Sequence, residues 1–288
     1  MPGDACDTIL SWVILTMGDR PAELARAVES LGPEADVVVV LNGASASDVQ
    51  LPPGVTCVPL VENVGVPAGR NAGVDASTGD IVGFLDDDAA MLTADAGERI
   101  VAHFDGDPDL AVVAFRLVDD AERTARRHVP RAGRGDPARS GPVAYFLGGA
   151  CAIRRTDFEA AGRYHAELFY GHEELDLSWR ILDRGRTLRY ASEIRAFHPP
   201  SDISRHTRGW YLTGRNRVVI ARRNLPQPVT LVHVLAWLAL GLWRAPGAAC
   251  RRSYLNGWWQ GWGTPVERRP MGWRTVVALA RLGRPPVI

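Results

Sequence analysis

The stretch that decides the fold is IVGFLDDD at residues 81–88, an apolar run that ends in three consecutive aspartates. The apolar part has the length and the flanking turn residues of a buried β-strand. In an open α/β sheet, ligands bind at the carboxyl ends of the strands. Three adjacent carboxylates repel one another, and a divalent cation relieves that repulsion while substrate phosphates complete its ligand shell. Taken alone, the three aspartates fit a solvated acidic turn equally well.

A second group of acids follows near residue 173. The spacing of its leucine and tryptophan residues predicts a helix over residues 173–184, with Glu173 and Glu174 in the first turn. The helix dipole favours acids in the first turn, so these two glutamates are explained without any functional role. A carboxylate there is also able to project into a cleft as a general base. Further on, His198 lies in the segment FHPP, where a histidine bonded to the backbone is the plain alternative to a metal ligand.

Four segments taken together resemble one protein family. They are NVGVPAGRNAG at residues 63–73, FLDDDA at 84–89, EELD at 173–176 and His198. In this order and spacing they are similar to the family 2 inverting glycosyltransferases with the GT-A fold, in particular to the rhamnosyl- and galactofuranosyltransferase-like branch that builds cell walls. The resemblance extends over residues 8–224. It implies an α/β fold with a Rossmann-like mixed sheet, a nucleotide-diphosphate-sugar donor, and Mg²⁺ or Mn²⁺ as cofactor.

The resemblance also implies roles for individual residues. Glu174 corresponds to the catalytic base, and Asp88 and His198 correspond to metal ligands. The residues expected to bind the donor are Asn42, Asn63, Arg70, Asn71, Asp86 and Asp87. The residues expected near the acceptor or the diphosphate are Gly148, Gly149, Glu173, Asp176 and Arg205.

Two positions depart from the family pattern. The second strand usually ends in an aspartate that contacts the nucleotide base, whereas here it ends in Asn42. We expect Asn42 to take over part of that role, and the identity of the base stays open. The catalytic base of the family is generally an aspartate, whereas the corresponding residue here is Glu174, which performs the same proton transfer with a longer reach.

The rest of the chain alternates as a nucleotide-binding α/β domain does. The predicted strands, besides residues 81–85, are 8–16, 36–41, 54–60, 110–117 and a glycine-led segment at 146–155, and the other predicted helices are 21–31, 67–76, 94–104 and 205–223. Residues 119–142 are rich in Arg, Gly and Pro, which predicts a long mobile loop. We expect a catalytic domain over residues 1–202 and a helical appendage over residues 203–288.

The zero net charge conceals a division of charge along the chain. Residues 203–288 contain 14 arginines and one acid, Glu267, which gives +13, and residues 1–202 carry the balancing −13. The same segment holds seven of the nine tryptophans. Arginine interleaved with tryptophan suits an anionic membrane interface. Proteins that bind nucleic acid are also rich in arginine and aromatic residues, but such binding would not explain the uncharged run 229–243. A further alternative is that the segment forms a helical layer packed on the sheet.

Other features narrow the class of protein. The run 229–243 has 15 residues, fewer than the ~20 that cross a bilayer. The four cysteines lack the spacing of a metal site, so we expect a reduced compartment and no zinc. Residues 1–7 lack a signal-peptide pattern, so we expect a cytoplasmic protein. With the arginine- and tryptophan-rich segment, we expect it to be peripheral on the inner face of the cell membrane. The chain has no lysine and therefore no P-loop, and its first strand is not followed by a dinucleotide-binding glycine turn.

The sequence therefore predicts an inverting, metal-dependent glycosyltransferase. The expected acceptor is a hydroxyl group of a lipid-linked or cell-surface glycan precursor. Two alternatives stay open: a catalytically silent, membrane-bound module that recognises a nucleotide sugar, and a glycosyltransferase that acts on a soluble small-molecule acceptor.

Overall fold

A computed structural model describes residues 8–131, 135–200 and 207–287. The strands of this part of the chain are β1 (Leu10–Thr16), β2 (Asp36–Asn42), β3 (Thr56–Leu60), β4 (Ile81–Asp86), β5 (Ala90–Met91), β6 (Leu110–Val118), β7 (Gly141–Pro142), β8 (Ala150–Arg154) and β9 (Thr187–Phe197). The α-helices are α1 (Pro21–Glu29), α2 (Val66–Ala76), α3 (Ala96–Gly106), α4 (Arg155–Ala160), α5 (Glu173–Asp183), α6 (Thr207–Asn224), α7 (Gln227–Arg244), α8 (Gly247–Gly263) and α9 (Trp273–Arg281).

The strands form one mixed sheet in the order β3-β2-β1-β4-β8-β6-β9-β5, with β7 paired to β9. The first four strands of the chain run parallel, and β8 inserts antiparallel between β4 and β6. Helices cover both faces of the sheet, which explains why β1, β2 and β4 are nearly continuous apolar runs. The predicted α/β class, a mixed sheet followed by a helical C-terminal region, is confirmed.

Alternate residues of β1 build the cores on the two faces of the sheet. Trp12 and Ile14 pack with apolar residues of α1 and α3, whereas Val13 packs with residues of α2 and α5 on the other face. The Trp12 ring crosses the neighbouring strand at Gly83, where any Cβ would overlap the indole. The glycine inside the predicted strand 81–85 therefore makes room for a large core side chain.

The topology brings two distant segments to one edge of the sheet. Asp86, at the carboxyl end of β4, donates its backbone N–H to the carbonyl of Gly149, 3.0 Å away, just before β8 begins. On the far side of β8, strands β6 and β9 run parallel, and the N–H of His198 reaches the carbonyl of Val118 at 2.9 Å. Asp86, Gly149 and His198 therefore meet at the edge where the sequence predicts a ligand site.

The observed elements follow the predicted ones closely, with a few additions. Strands β5 and β9 and helix α4 were missing from the prediction, although β9 alternates polar and apolar residues as a half-buried strand does. Within residues 119–142, the described part contains a 3₁₀ turn at Arg126–His128 and the two-residue β7. The expected domain boundary at residue 202 lies outside the described residues.

The C-terminal helices form a layer that is joined to α5 through Asp176. This carboxylate is completely buried and accepts hydrogen bonds from Arg180 on its own helix and from Arg223 and Asn224 on α6, at 2.6 to 2.8 Å. The two cations and the amide hold the pKa of Asp176 below its usual value, although burial opposes the shift. None of the described helices combines the length and the apolar character that crossing a bilayer requires.

Helices α6 and α8 approach each other closely because glycines line their contact. A Cβ at Gly257 would overlap the carbonyl of Tyr211, and one at Gly261 would lie 2.7 Å from the Cβ of Val218. Small residues at such a contact let the two backbones meet without intervening side chains. The helical layer therefore depends on these positions for its packing.

We expect Gly257→Ala to lower the free energy of unfolding by about 1–3 kcal/mol, because the added methyl group meets backbone that cannot rotate away. Chemical denaturation followed by circular dichroism measures the change. The matched control is Gly263→Ala in the same helix, where no atom lies within 4 Å of the new Cβ. Equal stabilities of the two variants would contradict the close helix contact.

Candidate active site

Asp86, Asp88 and His198 form a cluster at the sheet edge. One ligand atom from each lies within 4.8 Å of the others. The Nε2 atom of His198 is 3.6 Å from a carboxylate oxygen of Asp86 and 3.6 Å from one of Asp88, which is too long for a hydrogen bond. The other ring nitrogen, Nδ1, lies 2.8 Å from the carbonyl of Pro199 and therefore carries a proton. Burial lowers the pKa of the His198 ring, but the facing carboxylates of Asp86 and Asp88 outweigh it, so that the pKa is raised overall.

This donor set fits a divalent cation. Carboxylate oxygens are preferred ligands of Mg²⁺ and Mn²⁺, and the free Nε2 lone pair of a neutral imidazole is a metal ligand when the other nitrogen bonds a carbonyl. The carbonyl of Pro199 supplies that second contact and orients the ring. The residues that could hold the metal are therefore Asp86, Asp88 and His198.

Arg70 connects this cluster to the acids of α5. The guanidinium is buried at the start of α2 and donates to Asp86 at 2.8 Å. Its other terminal nitrogen lies 3.6 Å from Glu174 and 3.9 Å from Glu173. Burial alone would raise the pKa of Asp86, but His198 and Arg70 outweigh it and bring that pKa to about 2. Asp86 is therefore ionised throughout the physiological pH range.

The Gly148–Gly149 pair lies against both sets of acids. A Cβ at Gly149 would lie 2.6 Å from a carboxylate oxygen of Asp86, and one at Gly148 would overlap both Arg70 and Glu174. The N–H of Gly148 donates to Glu174 at 3.1 Å. The backbone thus passes close enough to orient the Glu174 carboxylate, and a side chain at position 148 would displace that carboxylate and Arg70.

The two glutamates at the start of α5 have different environments. Glu173 is 3% exposed, and burial together with the charge of Glu174 raises its pKa to about 8. Its Oε2 atom has no hydrogen-bond partner among the described residues. The carboxylate of Glu174 is more exposed and is held by Gly148 and Arg70. At neutral pH Glu173 is therefore protonated, and Glu174 is the glutamate that reaches the cleft.

The three consecutive aspartates point in two directions. Asp86 and Asp88 face His198, whereas Asp87 is buried towards the end of β1, where Arg20 contacts it at 2.8 Å. Arg20 also bonds Asp88. Burial raises the pKa of Asp87 to about 6 even though Thr16 and Arg20 stabilise its charge. The sequence grouped Asp86 with Asp87 at the donor, but the structure brings Asp86 together with Asp88 and His198.

Three asparagines expected at the donor hold loops in the structure. Asn42 accepts from the N–H of Val64 at 2.9 Å and donates to the side chain of Asn63, which in turn accepts from the N–H of Gly65. Asn71 both donates to and accepts from the backbone of Tyr164. Their side-chain oxygens are therefore engaged in orienting the loops around the cleft.

One residue expected near the acceptor lies elsewhere. Asp176 is buried between α5 and α6 with its arginine and asparagine partners, away from the cluster on the sheet edge. Arg205 lies outside the described residues. The structure thus brings together Asp86, Asp88, His198, Arg70, Glu173, Glu174, Gly148 and Gly149.

The sequence analysis missed two residues at the site. Arg20 follows β1 and precedes the proline that begins α1, so the sheet-edge rule that singled out the aspartates also applied to it. His128 stacks edge-on against His198, with ring centroids 5.8 Å apart, and burial lowers its pKa to about 4. Nothing in the local pattern of residues 119–142 indicates this long-range contact.

Comparison with known proteins identifies the family. The model of glycosyl transferase family 2 matches residues 11–162, more than half of the chain. The chain therefore belongs to glycosyl transferase family 2. The pre-mycofactocin glycosyltransferase of Mycobacterium tuberculosis is 27% identical over 255 residues, which cover 80% of this chain and 52% of that protein. The chain thus spans about half the length of this curated relative.

Solved structures share the fold at low sequence identity. GalNAc-T7 with UDP, GalNAc and Mn²⁺ has a TM-score of 0.62 and 15% identity, covering 88% of this chain and 55% of its own. S. aureus TarS 1–349 with UDP-GlcNAc has a TM-score of 0.61 and 14% identity, covering 86% and 79%. The mannosyltransferase PcManGT from Pyrobaculum calidifontis, with GDP-Man and Mn²⁺, has a TM-score of 0.56 and 14% identity, covering 94% and 78%. The GT-A fold expected from the sequence is confirmed.

Proposed function

We propose that this protein is a metal-dependent glycosyltransferase that moves a sugar from a nucleotide-diphosphate sugar to an acceptor hydroxyl with inversion of configuration. The observation that carries the proposal is the cluster of Asp86, Asp88 and His198 joined through Arg70 to the Glu174 carboxylate. Family membership supports the transfer chemistry, and UDP-GlcNAc and GDP-Man bound to the structural neighbours support the class of donor.

On the donor side, Asp86, Asp88 and His198 would hold Mg²⁺ or Mn²⁺. Such a cation, when bound, neutralises the charge that develops on a diphosphate leaving group as the glycosidic bond breaks. Arg70 keeps Asp86 ionised and oriented, and Arg20 holds Asp87 and Asp88 beside the cluster. These residues shape the donor end of the cleft.

On the acceptor side, Glu174 acts as the general base. Its Oε1 atom accepts from the N–H of Gly148 and lies near Arg70, so the carboxylate has a fixed direction. It takes the proton of the acceptor hydroxyl as that oxygen attacks the anomeric carbon on the face opposite the departing diphosphate, which inverts the configuration. Glu173, protonated and buried, does not compete for that proton.

The exposed surface of the C-terminal helices is of the kind that binds a membrane. Large apolar side chains are exposed along α7, α8 and α9, namely Leu231, Val232, Leu235, Trp243, Trp259, Trp262, Trp273 and Val277. Residues 203–288, which contain these helices, carry 14 arginines against one acid. Apolar rings flanked by guanidinium groups match the interface of an anionic bilayer. We therefore propose peripheral binding on the cytoplasmic face of the cell membrane and an acceptor that is a lipid-linked or cell-surface glycan precursor.

Replacing Asp88 with alanine should abolish metal-dependent binding of a nucleoside diphosphate and leave the protein folded, because the carboxylate lies at a strand end and outside the core. Calorimetric titration with Mn²⁺ and UDP or GDP measures the loss. Asp80→Ala is the matched control, since Asp80 is an exposed carboxylate at the opposite end of β4. Unchanged affinity in Asp88→Ala would remove this residue from the metal site.

Replacing Glu174 with glutamine should lower the transfer rate by about 10² or more while donor affinity persists, because the amide keeps the hydrogen bond from Gly148 but accepts no proton. Steady-state kinetics with a nucleotide-sugar panel gives the rate, and calorimetry gives the affinity. Glu173→Gln should retain most activity, since that carboxyl group is already neutral. An inactive Glu173→Gln beside an active Glu174→Gln would reassign the base.

The protein should co-sediment with vesicles that contain anionic lipid and much less with neutral vesicles, since each interfacial arginine contributes on the order of 1 kcal/mol. Added salt should release a large part of the bound protein. Alanine at the exposed Trp259 and Trp273 should weaken binding independently of salt, because these rings act by partitioning. Trp258 is buried and hydrogen-bonded to Val234, so it packs the helical layer. Equal binding to both vesicle types would favour a soluble acceptor.

A further inference from the structure

A small cavity lies between α5, the C-terminal helices and the residues that follow α9. It is lined by side chains of Tyr145, Trp179, Arg217, His233 and Arg284, and by Leu175 of α5. Its volume of about 20 Å³ admits one water-sized atom. Leu175 directly follows the proposed base in α5, so the cavity is adjacent to that end of the helix. Burial raises the pKa of Tyr145, and the charge of Glu174 adds to that shift.

The cavity has an excess of positive charge. The guanidinium of Arg217 stacks on Trp237, 3.4 Å from the ring centroid, and forms no ion pair with any residue in the described ranges. The Nε atoms of Arg217 and Arg284 are buried without hydrogen-bond partners there. No acid is among the residues that line the cavity. Burial, with Arg284 and Arg244 nearby, lowers the pKa of Arg217 to about 9.

The same charge acts on a buried histidine. His233 is 1% exposed, and its Nδ1 lies 2.6 Å from the carbonyl of Pro286, so Nδ1 carries the proton. The Nε2 atom has no partner among the described residues. Burial and the Arg217 charge lower the pKa of His233 to about 3, so the ring is neutral. Burial therefore disfavours the charge of Arg217, and no acid lines the cavity to offset that cost.

A bound water would satisfy the free N–H groups but would leave the charge uncompensated. An anionic oxygen satisfies both, and a guanidinium pair is the arrangement that binds phosphate well. We infer that this cavity is a subsite for one phosphoryl oxygen of a phosphate-bearing acceptor. Arg217 and Arg284 donate to that oxygen, and the rest of the phosphate lies in the opening beside Tyr145.

This inference rests on the proposed transferase function, and it adds the chemical class of the acceptor. The phosphate is a monoester or a diester that lies a short distance from the attacking hydroxyl. The cavity is too small for a whole phosphate group, so it selects an acceptor by a single oxygen at its inner end. Neutral acceptors lack the anionic oxygen that this position requires.

Thermal unfolding in inorganic phosphate, at ionic strength matched with chloride, tests the subsite without any enzymatic assay. Phosphate should raise the Tm of the wild-type protein by mass action, and Arg217→Gln should remove that rise. Arg189→Gln, which neutralises an exposed arginine on β9, should keep it. An absent rise in the wild type, or an equal rise in Arg217→Gln, would overturn the inference.

Two enzymatic readouts separate this subsite from the proposed function. Hydrolysis of the nucleotide sugar, in which water replaces the acceptor, releases nucleoside diphosphate. Its rate should be the same in Arg217→Gln and in the wild type. Transfer to a phosphate-bearing acceptor should fall at least tenfold in the variant, while transfer to its dephosphorylated form should not change. Equal losses with both acceptors would overturn the subsite, whereas no donor turnover in the wild type would overturn the transferase function alone.

Arg284→Gln provides a second variant in case Arg217→Gln does not fold. Arg284 is partly exposed and donates to the Tyr145 hydroxyl at 2.8 Å, so its replacement leaves the core intact. The phosphate-induced rise in Tm should shrink in this variant as well. An undiminished rise would exclude Arg284 and, with it, the paired-guanidinium subsite.

Discussion

The contact on which the site depends is that of the Arg70 guanidinium with the carboxylates of Asp86 and Glu174, beside the protonated side chain of Glu173. Arg70 comes from α2, Asp86 from the end of β4, and Glu173 and Glu174 from the start of α5. A buried arginine is costly unless acids surround it, and buried acids are costly without a cation. The three elements therefore stabilise one another, and loss of Arg70 would leave uncompensated charges on both sides. The same contact keeps Asp86 ionised and restrains Glu174, so the fold and the proposed chemistry depend on one side chain.

The glycines before β8 make this arrangement possible. With a Cβ at position 148 or 149, the ends of the Arg70, Glu174 and Asp86 side chains would have to leave their present positions. Their close approach allows the N–H of Gly148 to orient the proposed base, Glu174, and backbone is less mobile than a polar side chain. The site is therefore assembled from rigid groups, which favours preorganised electrostatic catalysis.

The fold and the location of the site could be predicted because both follow from local patterns. A buried strand followed by acids requires only its own residues and the sheet-edge rule. The division of the aspartates could not be predicted from strand alternation, because β4 ends at Asp86 and the next two aspartates lie in a turn that the N–H of Ala89 closes on the carbonyl of Asp86. The roles of Asn42 and Asn71 could not be predicted either, because an amide that bonds a distant loop and one that bonds a ligand have the same sequence signature. The contact of His128 with His198 depends on tertiary packing that no short window contains.

The hydrogen bonds of Asp176 limit how far α5 can move relative to α6. It lies in the same helix as Glu174, two residues further on, and its bonds to Arg223 and Asn224 attach that helix to α6. Because the charges in this connection are buried and fully paired, it has little freedom to stretch or pivot. If the C-terminal helices rest on a bilayer, these hydrogen bonds fix the height of the proposed catalytic carboxylate, Glu174, above the lipid. The protein would then select an acceptor hydroxyl group by its distance from the membrane plane as well as by its chemistry.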